Sequence, residues 1–149
     1  MEAFQGAILR VKLRHLERWN EARRAISSQY NQLLAGSGLK RPTEMPWARH
    51  VYHLYTLRSD HRDFLHVSLQ EKGIQTGIHY AAPVHLQPAY ANLGYGRLSL
   101  PQSEKAADEV LSLPLYPEMT DDQIQTVARA VLSAVSYTHL DVYKRQDWW

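Results

Sequence analysis

The segment GIHYAAPVHLQPAY, residues 77–90, concentrates side chains that can do chemistry: His79, Tyr80, His85, Gln87 and Tyr90, with Pro83 and Pro88 among them. The two prolines exclude a long helix or a central strand, so the segment is expected to be a loop. Imidazole donates, accepts or titrates near neutrality, and tyrosine offers an apolar ring with a polar tip. Such groups suit a site for a polar, ring-shaped ligand. The same residue types also serve as hydrogen-bonded struts beside a strand edge. Spacing alone does not choose between the two.

Other candidates point away from common chemistries. His50 and His53 form an HxxH pair, but on a strand residues three apart face opposite ways, and no third-ligand spacing accompanies them. They are expected to pack or hydrogen-bond, and no metal site is expected. The chain has no cysteine, which excludes disulfides, thiolate metal sites and cysteine nucleophiles. The phosphate-loop, dinucleotide, nucleophile-elbow and zinc-protease signatures are absent. Arg10, Lys12, Arg14, Arg18, Arg23 and Arg24 share the first segment with Glu2, Glu17 and Glu21, the pattern of a solvated helix face. A formal charge of +2 does not argue for nucleic acid or a membrane surface.

These residues need a scaffold, and 149 residues with 44% hydrophobic content are enough for one cored domain. No apolar run nears the roughly 20 residues of a membrane span. Met1 leads directly into amphipathic sequence without a secretory leader, so a cytoplasmic protein is expected. Residues 1–35 carry Phe4, Ile8, Val11, Leu16, Trp19, Ala22, Ile26, Tyr30 and Leu33 at helical spacing and predict one long, uncapped helix ended by Gly36 and Gly38. Residues 50–57 (HVYHLYTL) predict a strand. A helix capped by Ser59 or Asp60 should run to Lys72 and stop at Gly73.

Residues 74–78 predict a second strand, with Ile74, Thr76 and Ile78 on one face and Gln75, Gly77 and His79 on the other. A helical turn at residues 83–87, a helix over 103–111 and an extended passage through Pro114 and Pro117 follow. Thr120 and Gln123 form a capping box for a final helix whose stripe is Ile124, Val127, Ala128, Val131, Leu132 and Val135. The expected class is α+β, helices covering one face of a small, mainly antiparallel sheet. From Ser136 the stripe is expected to break. Residues 136–149 look like an adaptor-derived, non-native tail, and His139 is set aside with them.

The stretches "MEAFQGAILRVKLRHLERWNEARRAISSQY", "HVYHLYTLR", "LQEKGIQTGIHYAAPVHLQPAY" and "SEKAADEVLSLPLYPEMTDDQI" together resemble the DegT/StrS-type nucleotide-sugar aminotransferases. These are pyridoxal-phosphate enzymes of the aspartate-aminotransferase fold. The resemblance runs from Met1 to about Val135 and departs at Ala81–Ala82, where many relatives have a Tyr-Pro-x-Pro-like sequence. It implies that residues 1–35 are the connecting helix at a homodimer interface and residues 36–135 the small C-terminal domain of a fold-type-I enzyme.

The resemblance further implies that the lysine carrying pyridoxal phosphate lies upstream of Met1, so that no catalytic residue is present and the fragment is inactive. His79, Tyr80, His85, Gln87 and Tyr90 are then substrate-side residues. The implied partners are a keto nucleotide-sugar and glutamate/2-oxoglutarate. A related sugar dehydratase, and a free-standing sugar-binding or dimerisation module, are the alternatives.

Overall fold

A computed structural model describes residues 2–144, with side chains through Tyr137. The expected long first helix is two helices, α1 (Ala3–Leu13) and α2 (Leu16–Leu33). The N–H groups of Arg14 and His15 bond three residues back, to Val11 and Lys12, which tightens the backbone and interrupts the α-pattern. The amphipathic stripe divides there too. Residues of α1 are not buried, whereas α2 inserts Ile26, Ser27 and Tyr30 into the interior.

The expected strand over residues 50–57 is shorter and later, β1 (Tyr55–Arg58). Before it the backbone polar groups are taken by side chains: the Tyr52 N–H donates to His50 Nδ1, and Arg24 of α2 donates to the His50 carbonyl. Tyr52 also adopts a left-handed φ of 47°, which turns the chain out of a strand path. His50 and His53 therefore precede the strand rather than sharing it. Helix α3 (Arg62–Glu71) starts later than expected because Ser59 Oγ accepts the His61 N–H in a turn instead of capping the helix. It ends at Gly73, whose φ of 74° is the left-handed stop that glycine supplies.

The helix expected over residues 103–111 begins at a proline and ends sooner, as α4 (Pro101–Glu109). Val110 and Leu111 instead open β2 (Val110–Leu113), which pairs antiparallel with β1 in the register Tyr55↔Leu113, Thr56↔Ser112, Leu57↔Leu111, Arg58↔Val110. Pairing with a strand 52 to 58 residues earlier, read from that register, outweighs the local helical pattern. The strand expected over residues 74–78 reduces to one bridge, Gly77↔Ser112, on the outer edge of β2, while Lys40↔Arg58 extends the β1 edge. The sheet is thus small and antiparallel, as expected, but two-stranded.

Its two faces differ because side chains alternate. Tyr55, Leu57, Leu111 and Leu113 are buried on one face. They join Ile26, Tyr30 and Leu34 of α2, Leu65 and Leu69 of α3, and the last helix in one core. That helix, α5 (Asp121–Lys144), opens on the expected capping box: the Gln123 N–H donates to Thr120 Oγ1 at 3.3 Å and the Thr120 N–H to Gln123 Oε1 at 3.0 Å. Ile124, Val127, Ala128 and Val131 are buried, with Leu132 and Val135 packed at the edge. Ser136 and Tyr137 are exposed and the backbone stays helical through Lys144, while the side chains that would carry or break the stripe beyond them lie outside the described residues. Residues 145–149 of the expected tail lie outside the described residues. No described helix is long and apolar enough to cross a membrane.

The opposite face of the sheet carries Thr56, Arg58, Val110 and Ser112, and its end is held by a buried carboxylate. Arg58 contacts Glu109 through Nε and Nη2, both at 2.8 Å, with Lys40 and Lys105 at 3.9 and 3.5 Å. Burial pushes the Glu109 carboxyl up, but the Arg58 hydrogen bond and the three cations more than offset it, leaving a net lowering. A carboxyl lowered on folding contributes stability above its unfolded value of about 4.3. That contribution is lost as pH falls through the folded value. Thermal unfolding should therefore fall less steeply below about pH 4.3 in Glu109→Gln than in the parent chain. Identical acid slopes would contradict this.

Candidate functional site

The loop singled out from sequence leaves the sheet edge at Gly77 and returns at α4. Gly77 and Ser112 exchange both backbone hydrogen bonds, at 3.0 and 2.7 Å, which fixes where the loop departs. Residues 77 and 79 share a side of the chain, as the expected alternation requires, and the His79 ring lies over Gly77. A Cβ at Gly77 would overlap His79 Cε1 and sit 3.1 Å from Nδ1. With no side chain beneath it, His79 brings Nδ1 to 3.0 Å from Ser112 Oγ, which lies 2.9 Å from Thr56 Oγ1. The polar face of the sheet thus extends into the loop through imidazole and two hydroxyls.

Beyond a cis His79–Tyr80 peptide the loop forms two 3₁₀ turns, Val84–Leu86 and Pro88–Leu93, and reverses at Gly94 with φ 74°. The first turn matches the expected one. Between loop and helix lies a cleft of about 570 Å³, floored by Ala106, Ala107 and Val110 and walled by His79, Tyr80, His85, Tyr90, Leu93 and Tyr95. Four of the five residues expected at the site therefore border one cavity. Tyr80 is 75% exposed at its mouth and Tyr90 is also exposed, whereas His85 is 8% exposed against its wall. Gln87 does not border the cleft. It stands between the two turns, where its N–H donates to Val84 O and its carbonyl accepts from Tyr90 N–H.

Three contributors carry no local signal of function. Tyr95 sits in a glycine-flanked stretch, and its ring meets His85 edge-on at a centroid distance of 6.3 Å. Ser112 looks like an ordinary strand residue. Glu104 looks like the solvated face of a helix, yet its carboxylate accepts the N–H groups of Leu98 at 2.9 Å and Leu100 at 3.2 Å and contacts His85 Nε2 at 3.2 Å. The Leu98 N–H first, then His85 and the Leu100 N–H, hold this carboxyl below its ordinary range against the opposing effect of burial. Alternation along β2 marks residue 112 as facing away from the core, the one cue that leads to it.

The aromatic walls and imidazoles can bind a hydroxyl-bearing ring, but they do not form the site of a carbonyl cofactor. Among the described residues, no lysine borders the cleft. Lys40 and Lys105 lie against Glu109, Lys72 donates to Ser133, and Lys12 is exposed on α1. Among the described residues, no three His, Cys, Asp or Glu groups cluster to hold a metal.

A sequence profile of the DegT/DnrJ/EryC1/StrS aminotransferase family matches residues 1–132. The chain belongs to this family. It is 44% identical over 142 residues to a pleiotropic regulatory protein of Geobacillus stearothermophilus, covering 93% of the chain and 38% of that protein. It is 42% identical to dTDP-3-amino-3,4,6-trideoxy-α-D-glucose transaminase of Streptomyces venezuelae, covering 88% of the chain and 35% of that protein. The fold matches the crystal structure of S. venezuelae DesV in complex with a ketimine intermediate, at TM-score 0.85 and 42% identity over 88% of the chain and 36% of that structure. An aminotransferase of the same family from Brucella abortus matches at TM-score 0.81 and 33% identity, over 88% and 35% respectively. The chain spans about a third of the length of these relatives. The described elements of the chain are α+β.

The overlap at Gly77 involves a side chain that can rotate away, so its cost falls on the site rather than the fold. Gly77→Ala should break the His79–Ser112 hydrogen bond while lowering stability by only about 1 kcal/mol, the scale of a displaced rotamer. A crystal structure of the variant together with a denaturant titration checks both. An undisturbed His79–Ser112 bond would show that the glycine is not what admits the ring.

Proposed function

We propose that this chain is the small-domain portion of a longer pyridoxal-phosphate-dependent aminotransferase. The complete enzyme moves an amino group, taken from glutamate, onto the keto group of a nucleotide-linked sugar. The observation that carries the reading is the family match over residues 1–132 combined with a histidine- and tyrosine-walled cleft that no lysine among the described residues borders. The cleft supplies the sugar side of the active site. Tyr80, Tyr90 and Tyr95 present ring faces and hydroxyls, and His79 and His85 present hydrogen-bonding nitrogens.

The cofactor and its lysine belong to the rest of the enzyme. The residues here do not fit them, so their work is to bind and orient substrate and to keep water from one side of it. The names of relatives support a sugar substrate: one is a dTDP-amino-sugar transaminase and another, 32% identical, is an aminotransferase acting on a 3-dehydro derivative of UDP-N-acetylglucosamine. In this reading a second subunit covers α1, where Phe4, Ile8, Leu9 and Val11 leave an exposed apolar face.

The test uses the longer protein that carries this segment. Incubated with dTDP-3-amino-3,4,6-trideoxy-α-D-glucose and 2-oxoglutarate, it should form glutamate and the corresponding keto sugar in equal amounts. Residues 1–149 alone should form neither. Turnover by residues 1–149, or sugar dehydration without transfer of nitrogen by the longer protein, would contradict the reading.

A further inference from the structure

Glu104 occupies an unusual place for a carboxylate in the first turn of a surface helix. One oxygen, Oε1, receives both the Leu100 N–H and His85 Nε2, and the other receives the Leu98 N–H. Its side chain is only 14% exposed. It thereby ties the inner end of the loop, at His85, to the returning limb at residues 98–100. These are the two limbs between which the cleft opens.

The contact also orients the imidazole. An ionised carboxylate only accepts hydrogen bonds, so the His85 nitrogen facing it carries the proton. In neutral imidazole the other nitrogen, Nδ1, is then a lone-pair acceptor. Glu104 borders a separate cleft of about 400 Å³ with Arg97 and Asp108, while His85 borders the tyrosine-walled cleft. The ring therefore stands between the two, with its Nε2 edge toward Glu104. None of the described residues hydrogen-bonds to His85 Nδ1.

We propose that Glu104 is a positioning residue that holds His85 as the Nε2–H tautomer, so that Nδ1 is offered to the cleft as an acceptor for a hydroxyl of the bound sugar. The proposal rests on the reading of the cleft as the sugar side of an aminotransferase. It assigns His85 a specificity role: an acceptor nitrogen selects a hydroxyl donor and disfavours an anionic group at the same place. His79 differs, because its Nδ1 is engaged with Ser112 and its remaining nitrogen is Nε2. The cleft would thus meet its ligand with opposite nitrogens of two imidazoles.

The test again uses the longer protein, with isotope-labelled histidine. Ring-nitrogen NMR without substrate should show neutral His85 as the Nε2–H tautomer, and Glu104→Gln should mix the tautomers, because an amide can donate or accept. The same substitution should raise KM for dTDP-3-amino-3,4,6-trideoxy-α-D-glucose about tenfold, on the scale of one lost hydrogen bond. It should leave KM for 2-oxoglutarate and kcat within about twofold, and add no further rise in a His85→Ala background.

If Glu104→Gln does not fold, Glu104→Asp, whose shorter side chain withdraws the carboxylate from His85, takes its place with the same expectations. An unchanged tautomer, a tautomer change without a change in sugar KM, or an equal KM rise with and without His85 overturns the proposal. A protein that never turns over the sugar refutes the functional reading instead, and the substrate-free tautomer measurement separates that failure from a wrong role for Glu104.

Discussion

The register of β1 against β2 is the constraint on which the rest of the structure depends. Setting Tyr55 opposite Leu113 and Leu57 opposite Leu111 sends four large apolar side chains into the core with α2, α3 and α5. The same register necessarily sends Thr56 and Ser112 the other way. A one-residue slip of either strand would turn that strand over, sending its hydroxyl toward the core and its two large apolar side chains out of it. Ser112 then does two jobs on the outer edge: its backbone pairs with Gly77, and its hydroxyl meets His79. Core packing on one face thus decides where the candidate ligand loop starts on the other.

The loop has its own second anchor. Glu104 gathers three donors from two separate limbs, which shapes the cleft without an apolar core beneath the loop. The loop exposes Tyr80, Val84, Tyr90, Leu93 and Tyr95. Exposed rings of this kind, backed by alanines of α4, are poor stabilisers of an isolated domain and good walls for a ligand. In the proposed complete enzyme the cofactor chemistry comes from elsewhere and this domain contributes recognition.

What was legible in the sequence follows local physics. The capping box at Thr120 and the stripe from Ile124 to Val135 could be read because their partners lie within a few turns. The glycine stop at Gly73 and the turn after Pro83 are similarly local. Strand β2 was half legible: Ser112 and Leu113 open the expected extended passage, whereas Val110 and Leu111 continue a helical pattern and only the distant β1 makes them extended. The strand at residues 50–57 was overextended because its first half spends its backbone groups on His50 and Arg24. Residues of the candidate site divided the same way: His79, Tyr80, His85 and Tyr90 stand in one conspicuous segment, but Gln87 in that segment does not border the cleft, and Glu104, Tyr95 and Ser112 join the others only through tertiary contacts.

The most direct measurement of the central claim is a crystal structure of the longer protein with dTDP-3-amino-3,4,6-trideoxy-α-D-glucose bound. The sugar ring should lie between the loop and α4, within about 4 Å of His85 and at least one of Tyr80, Tyr90 and Tyr95. A sugar bound in the active site that touches none of residues 79–95 would contradict it.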